Sequence, residues 1–417
     1  MFFMNEDIVV VTGQEVNLLY CNMPKVIVGM SGGVDSSVTA YLLKEKGYAV
    51  EGVSFLMWEA TKGAGSPSCC SLQAMDEASK TARSIGIHHR TIDIRNDFRE
   101  NVVEPFMKAY FSGLTPNPCI LCNRFVKFPS LISEAESRGA EYIATGHYAR
   151  VETDAPAVNQ FIPPSSSLEK GGKGGFESFA NCFSLRKGVD PKKDQSYVLY
   201  VLGQEELRRL TLPLGYYSKD DVRRIAKDLG LPAAERAESQ EICFVEEKHY
   251  LAFIERLSPA RAESGPIVGP DGKVIGMHKG IHGYTIGQRK GLGVSSPEPL
   301  YVIDTDIREN IVYVGPREAA KKKEFDVGKL NWIIARPSKN LKVSVKVRSM
   351  MKEEPATIFV GLRKMEQGTS NKEQTDNPDE VVRVVFDEPH WAPAPGQSAV
   401  FYDGDVVVGG GIIRKPA

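Results

Sequence analysis

The stretch Val26-Ile-Val-Gly-Met-Ser-Gly-Gly-Val-Asp-Ser-Ser37 decides the fold of this chain. Its apolar start reads as a buried strand, and a short glycine turn follows. Asp35, Ser36 and Ser37 then open a helical pattern through Leu42, Leu43 and Lys46 that Gly47 stops. Gly32 and Gly33 let the backbone come close to a ligand, and free amides at a helix start suit an anion. The Walker loop differs, because there a Lys ahead of the Ser/Thr reaches the β- and γ-phosphates. No Lys lies between Gly29 and Ser37, so this cradle reads as built for a pyrophosphate rather than for γ-phosphoryl transfer. Taken alone, Asp35 is also what an ordinary helix N-cap provides; the strand–turn–helix setting favours nucleotide binding.

Working outward, strands and helices alternate. Strands are expected at Lys25–Val28, Val50–Met57, His89–Ile94 and Tyr142–Thr145, and helices at Asp35–Lys46, Leu72–Ile85, Phe98–Tyr110 and Phe128–Arg138. Such alternation implies a doubly wound, mainly parallel α/β sheet. The glycine loop then sits where open α/β sheets bind their ligands. Between Ala155 and Ala180 the pattern breaks into Pro163-Pro164-Ser-Ser-Ser167 and Gly171-Gly-Lys-Gly-Gly175, the composition of a solvent-exposed insertion. Ser218 caps a further helix through Val222, Ile225, Ala226 and Leu229. From Gly265 onward short strands and turns take over, which suggests a compact antiparallel barrel or sandwich. The expected division is an extension over 1–23, a nucleotide-binding domain over 24–215, a small central domain over 216–282, and a β-barrel over 283–417.

With 417 residues the chain exceeds one core, and its net charge of −1 advertises no global basic field. Basic residues are local: Lys192-Lys193, Arg208-Arg209, Arg223-Arg224, Lys321-Lys322-Lys323, and the run Lys342, Lys346, Arg348, Lys352. Each alone reads as a solvated face. No run of about 18 apolar residues suggests a membrane span. Met1 to Cys21 has no basic start and carries Glu6 and Asp7, so it does not read as a signal peptide; it fits an extra leader ahead of Met23. Seven cysteines, an odd count, point to a reducing cytoplasm with catalytic, metal-binding or inert thiols.

Thr115-Pro-Asn-Pro-Cys-Ile-Leu-Cys-Asn123 holds Cys119 and Cys122 in a Cys-x-x-Cys. A structural zinc site wants two more ligands at similar spacing, and no second such pair exists. A redox dithiol is the other reading. Cys243 stands far off in Ser239-Gln-Glu-Ile-Cys-Phe244, and alone it reads as a small buried hydrophobe, as do Cys21, Cys69, Cys70 and Cys182.

Together the motifs resemble the tRNA-specific 2-thiouridylase family of the ATP pyrophosphatase (PP-loop) superfamily. The resemblance runs from about Lys25 to the C-terminus, the Ala155–Ala180 insertion excepted. It rests on the Gly29–Ser37 loop, Thr115–Asn123, Ala144-Thr-Gly-His-Tyr-Ala149, Lys193-Asp-Gln-Ser-Tyr197, Ser239–Phe244 and Gly283-Tyr-Thr-Ile-Gly-Gln-Arg289. The resemblance implies ATP with Mg²⁺ on Gly29, Met30, Ser31, Gly32, Gly33, Val34, Asp35 and Ser36, with Phe55 and Gly146 as further nucleotide contacts. It implies that the C2 oxygen of a wobble uridine attacks the α-phosphorus and that pyrophosphate leaves. Sulfur then arrives as a persulfide on Cys243, with Cys122 as second catalytic cysteine and Lys127 as a candidate cation beside it (or a plain surface lysine). The donor would be a cysteine desulfurase or a sulfur-relay protein. Asn117, Pro118 and Cys119 match target-base contacts, and a base must leave its stack to be reached. Lys193, Asp194, Gln195, His147, Arg348, Ser349 and Gln397 match tRNA contacts on a protein expected to be a cytoplasmic monomer.

Three positions depart from the family pattern. Relatives often carry Met at Phe55, an Asp at Cys119 and an aromatic residue at Ser349. A thiol at Cys119 lacks the acid–base chemistry of a carboxylate at neutral pH. It opens an alternative in which Cys119, Cys122 and Cys243 hold an iron–sulfur cluster. Two further readings compete: another adenylating enzyme of the superfamily acting on a small molecule, and a tRNA-binding or iron–sulfur carrier module with a vestigial loop.

Overall fold

A computed structural model describes residues 23–58, 72–153, 182–235, 242–245, 250–258, 263–361 and 380–415. The extension before Met23, the insertion at 155–180, and Cys69 and Cys70 lie outside the described residues. Five parallel strands form the first sheet: β1 (Lys25–Gly29), β2 (Ala49–Leu56), β3 (His88–Asp93), β4 (Tyr142–Ala144) and β7 (Leu210–Thr211), in the order β3-β2-β1-β4-β7. The middle of β1, Val26–Val28, is apolar because both its faces are covered. Ile27 packs with Phe98, Phe106, Phe128 and Leu131 on one side. Val26 and Val28 pack with Val38, Leu43 and Ala78 on the other. All three β1 residues are fully buried, each contributing about 1.5–3 kcal/mol. The expected α/β fold is therefore present.

Helices α1 (Val34–Glu45) and α2 (Leu72–Ile85) cover one face. Two longer helices, α3 (95–111) and α4 (118–137), cover the other. Each contains a π-helical stretch, at Arg99–Val103 and at Asn123–Lys127. Each stretch ends two residues before a proline, Pro105 or Pro129. A proline inside a helix lacks a donor and crowds the carbonyl four residues back, and a widened turn accommodates it. The expected helix starts at Phe98 and Phe128 therefore fall inside longer helices, and the Cys-x-x-Cys is helical.

A four-stranded sheet in the order β10-β11-β8-β9 follows, from β8 (Gly265–Val268), β9 (Val274–His278), β10 (Tyr301–Asp306) and β11 (Ile311–Gly315). The boundary expected between 282 and 283 falls inside this sheet. Its second strand, β9, is mostly exposed and carries no strong apolar alternation. The last six strands are β12 (Lys321–Trp332), β13 (Leu341–Lys346), β14 (Glu354–Phe359), β15 (Val382–Trp391), β16 (Ser398–Asp403) and β17 (Val406–Ile413). β12 pairs with both β15 and β17, which closes an antiparallel barrel. Lys321-Lys322-Lys323, expected as a solvated basic face, begins β12, with Lys321 paired to Glu318 at 2.6 Å.

The hairpin of β5 (Ala149–Thr153) and β6 (Phe183–Lys187) leaves the α/β unit and joins the barrel sheet at Val406 opposite Arg186. Four charged side chains lock that junction. Arg150 pairs with Glu152 (2.8 Å) and Asp405 (2.5 Å), and Arg186 pairs with the same two carboxylates (both 2.9 Å).

Candidate active site

β1 and β4 are neighbours whose connections leave in opposite directions, so a crevice opens beyond Gly29 and Ala144. A cleft of about 200 Å³ lies there. Its walls include Gly29, Met30, Ser31, Asp35, Ser36, Phe55, Gly146, His147 and Gln195 from the sequence-based set, together with Val53, Met57, Met75, Lys127 and Thr145.

The glycine loop is held from inside. Met30 donates its amide to the Val53 carbonyl (2.7 Å), and the Ser54 hydroxyl donates to the Met30 carbonyl (2.6 Å). The fully buried Ser54 Oγ also lies 2.8 Å from His89 Nε2. Its own proton is committed to Met30, so the hydrogen between them belongs to His89 Nε2. The Ser31 amide donates to Ser36 Oγ (3.1 Å), and the Ser36 and Ser37 hydroxyls both donate to the Gly33 carbonyl (3.1 and 2.9 Å). The first-turn amides of α1 have no acceptor within the helix, which leaves them for an anion.

Two glycines are required by contact. Gly32 has φ +73, and a Cβ there would lie 2.4 Å from the Ala74 carbonyl oxygen. A Cβ on Gly146 would lie 2.9 Å from both Asp35 C and Ser36 N. Gly33, extended at φ −90 and ψ 165, is the N-cap residue and offers no side-chain cap. Asp35 therefore does not cap the helix. Its carboxylate accepts from the Tyr148 hydroxyl (2.7 Å) and from Lys219 Nζ (2.7 and 2.9 Å).

His147 bonds Thr145 Oγ1 through Nδ1 at 2.7 Å and lies nearly parallel to the Phe128 ring. Although its edge meets the cleft, packing lowers its pKa to about 3, with Lys127 adding to the effect. His147 is neutral at physiological pH. Gln195 accepts from the Tyr148 amide (2.9 Å) through its side chain, and Asp194 accepts from Gly188 N (3.2 Å) and from both Ser196 donors (3.1 and 2.9 Å). Both side chains thus brace the loop that carries Lys193.

Asn117 caps α4: Oδ1 accepts from Cys119 N (3.1 Å) and Ile120 N (3.4 Å), with Pro118 in the first turn. Cys119 is exposed and Cys122 is buried. Cys122 Sγ lies 3.9 Å from Met57 Sδ, one side chain behind the cleft wall. Cys243 is half-buried and packs on the same core as Cys122. Its neighbour Phe244 meets Trp58, Phe98, Phe106 and Phe253 in an aromatic cluster, so residues 57–58 touch both cysteine segments. Among the described residues no three His, Cys, Asp or Glu side chains converge as a metal site, so Cys119, Cys122 and Cys243 are not gathered as cluster ligands.

Arg348, Ser349 and Gln397 stand on the barrel and do not line the cleft. Arg348 Nη2 donates to the Ile286 carbonyl (2.7 Å) and the Ala392 carbonyl (3.3 Å), and burial lowers its pKa. The barrel nevertheless touches the cysteine helix: Thr115 N donates to the Pro395 carbonyl (2.8 Å), beside Gly396 and Gln397. Thr115 Oγ1 also donates to Thr285 Oγ1 (3.4 Å) in the central segment.

Lys219, Tyr148, Ser54 and Met57 were missed from sequence. Met57, just past the carboxyl end of β2, was reachable from the rule that ligands sit beyond strand ends. Nothing in the sequence links Lys219 to a loop 184 positions earlier.

Comparison with known proteins adds to this geometry. Residues 24–247 match the family described as tRNA methyl transferase HUP domain, 252–316 its PRC-barrel domain, and 322–413 an aminomethyltransferase beta-barrel domain. The chain is 44% identical over 395 residues to the tRNA-specific 2-thiouridylase MnmA 1 of Caldanaerobacter subterraneus subsp. tengcongensis, covering 94% of this chain and 98% of that one. It is 41% identical over 394 residues to the tRNA-specific 2-thiouridylase MnmA of Clostridioides difficile, again covering 94% and 98%. A solved 4-thiouridine synthetase–RNA complex with bound ATP shares 15% identity at a TM-score of 0.32, covering 57% of this chain and 51% of that one.

Proposed function

The chain belongs to the tRNA-specific 2-thiouridylase family and is an enzyme of tRNA 2-thiolation, and from that premise we propose how its residues divide the work. ATP occupies the cleft, its phosphates on the loop from Gly29 to Ser36 and its base against Phe55 and Met75. The proximity of cleft and thiol carries this reading: Cys122 stands one side chain behind a cleft wall that also includes Lys127. Mg²⁺ would offset charge on the phosphate oxygens. Among the described residues the cleft lining supplies a single carboxylate, Asp35, already bonded to Tyr148 and Lys219, so the ion's oxygen ligands would come mainly from the nucleotide and water.

The extruded uridine approaches over Asn117, Pro118 and Cys119, at the open end of α4. Its C2 oxygen attacks the α-phosphorus and pyrophosphate departs, leaving C2 bonded to adenylate. The terminal sulfur of a Cys243 persulfide then attacks C2, and AMP leaves with the C–O electron pair. The Cys122 thiolate attacks Cys243 Sγ, the S–S bond breaks toward the base to leave the thiocarbonyl, and a Cys122–Cys243 disulfide remains. A thiol reductant returns two electrons and restores both thiols. Lys127, close enough to depress His147, favours an anion on this side of the cleft. Lys193, Gln195, His147, Arg348, Ser349 and Gln397 would hold the tRNA, which is read as a folded surface around one unstacked base.

The test separates the two half-reactions. With tRNA, ATP, Mg²⁺ and a persulfide donor, Cys243→Ser and Cys122→Ser are expected to keep tRNA-dependent pyrophosphate release and lose 2-thiouridine detected by mass spectrometry. Intact thiolation in Cys243→Ser would sink the relay.

A further inference from the structure

We propose that Lys219 is a positioning residue of the nucleotide site: it neutralises Asp35, so that a carboxylate can stand in the first turn of α1 without repelling the phosphates of ATP. The inference rests on the reading of the cleft as the ATP site. The loop from Gly29 to Ser37 has no cation of its own and yet contains an acid. An unpartnered carboxylate there would compete with an incoming phosphate for the helix amides and repel it.

The pair has one fixed end and one end facing the ligand. Lys219 is 5% exposed, and a buried ammonium persists only when paired. Its backbone is clamped. Ser218 Oγ accepts from Asp221 N (3.2 Å), Lys219 N donates to Asp190 Oδ2 (3.1 Å), and Val222 and Ala226 of the same helix (Lys219–Asp228) sit in the core beneath α1. The ammonium reaches both oxygens of Asp35, at 2.7 and 2.9 Å. Tyr148 holds Oδ1 from another side at 2.7 Å. The Asp35 side chain keeps 34% of its surface and lines the cleft. The cation that a Walker loop carries in its own sequence is thus delivered here from a remote helix, through a carboxylate rather than directly onto phosphate.

The experiment measures binding of Mg-ATP by calorimetry, and of an unmodified anticodon-arm RNA separately, on the full-length protein. Lys219→Met is expected to weaken ATP at least about tenfold, because an uncompensated negative charge then faces the phosphates. RNA affinity should stay within about twofold, because Lys193, Arg348, Ser349 and Gln397, most of the proposed tRNA contacts, lie off the cleft. Lys219→Arg should retain most ATP affinity. The double variant Lys219→Met with Asp35→Asn removes both charges and should bind ATP at least about fivefold more tightly than Lys219→Met, a coupling that independent sites do not show. A double variant as weak as Lys219→Met would overturn the proposal, and so would a joint fall of ATP and RNA affinity with the melting temperature. If Lys219→Met does not fold, Asp35→Asn and the double variant decide: equal ATP affinity in the two supports the role, because Lys219 then has no carboxylate to neutralise, and a double variant about tenfold weaker than Asp35→Asn refutes it. Wild-type protein that bound no ATP would overturn the nucleotide reading as well, whereas Lys219→Met binding like wild type would overturn this role alone.

Discussion

Gly146→Ala tests whether the cleft is built by the contact between the β4 loop and the start of α1. The added Cβ would sit 2.9 Å from Asp35 C and 2.9 Å from Ser36 N, against 3.4–4 Å for ordinary contact. Both atoms are backbone, so no rotamer change relieves the overlap. The loop and the helix must separate by roughly 0.5–1 Å, and overpacking of this kind costs about 1–3 kcal/mol. The same shift moves the helix amides away from the phosphates, and losing the equivalent of one good hydrogen bond weakens ATP about tenfold. Gly33→Ala is the matched control for the stability term alone, since Gly33 belongs to the phosphate loop: its φ of −90 suits any residue, and the nearest atom, Ser31 Oγ, is 3.5 Å from the new carbon. Chemical denaturation with two-state fitting gives the stability term, and calorimetric titration with Mg-ATP gives the affinity. Gly146→Ala matching wild type in both would refute the argument, since it would mean that the tight approach of loop to helix does not exist in solution.

Two further outcomes follow from the loop's supports. Ser54→Ala leaves the Met30 carbonyl without its donor and should cost about 1–3 kcal/mol, with a raised KM for ATP, an unchanged KM for tRNA, and recovery in Ser54→Thr; equal effects on both substrates would contradict it. His147 has its folded pKa lowered to about 3 from 6.5. Above pH 6.5 both states are neutral there; below it the unfolded chain binds the proton first, so stability falls with pH down to about 3. The slope from this group is at most about 1.4 kcal/mol per pH unit. The gap between urea midpoints at pH 7 and pH 5 should therefore narrow in His147→Gln, the remainder coming from His89, His282 and His390, whose pKa values burial also lowers, and an unchanged pH dependence would refute the assignment.

The parallel sheet was legible because Val26–Val28 of β1 is a solid apolar run and strand-like and helix-like segments alternate after it, signals that need only neighbours in sequence. The phosphate loop was legible for the same reason, since strand, glycines and helix start are contiguous. What escaped depends on distance. Lys219 looks like the first residue of a capped surface helix, and only tertiary packing turns its ammonium onto Asp35. The helical state of 118–127 had no clear signal in sequence, since Pro116 and Pro118 interrupt any periodic pattern, although Pro118 sits in the first turn, where a proline is tolerated. The position 282/283 lies within the sheet of β8 to β11, which was hard to read because β9 exposes Val274, Ile275 and Met277 rather than alternating them. Several motif positions also have local work that a motif cannot reveal. Asn117 caps a helix, Asp194 orders a turn, and Arg348 ties two carbonyls together.

That local work has a consequence for how the three folded units cooperate. Residues 110–117 are where they meet: Tyr110 stacks on Tyr250 at 4.5 Å, Gly113 approaches Ile307, and Thr115 bonds to Pro395 and nears Thr285. The next residues cap the helix that carries Cys119, Cys122 and Lys127. A tRNA held by the barrel and the central sheet would pull on this short segment, and through Asn117 on the first turn of α4. The same helix lends Lys127 to the nucleotide cleft and Cys122 to its rear wall. A single helix start is thus anchored in all three units, and the segment ahead of it is the shortest covalent route from the barrel and central-sheet contacts to Cys122.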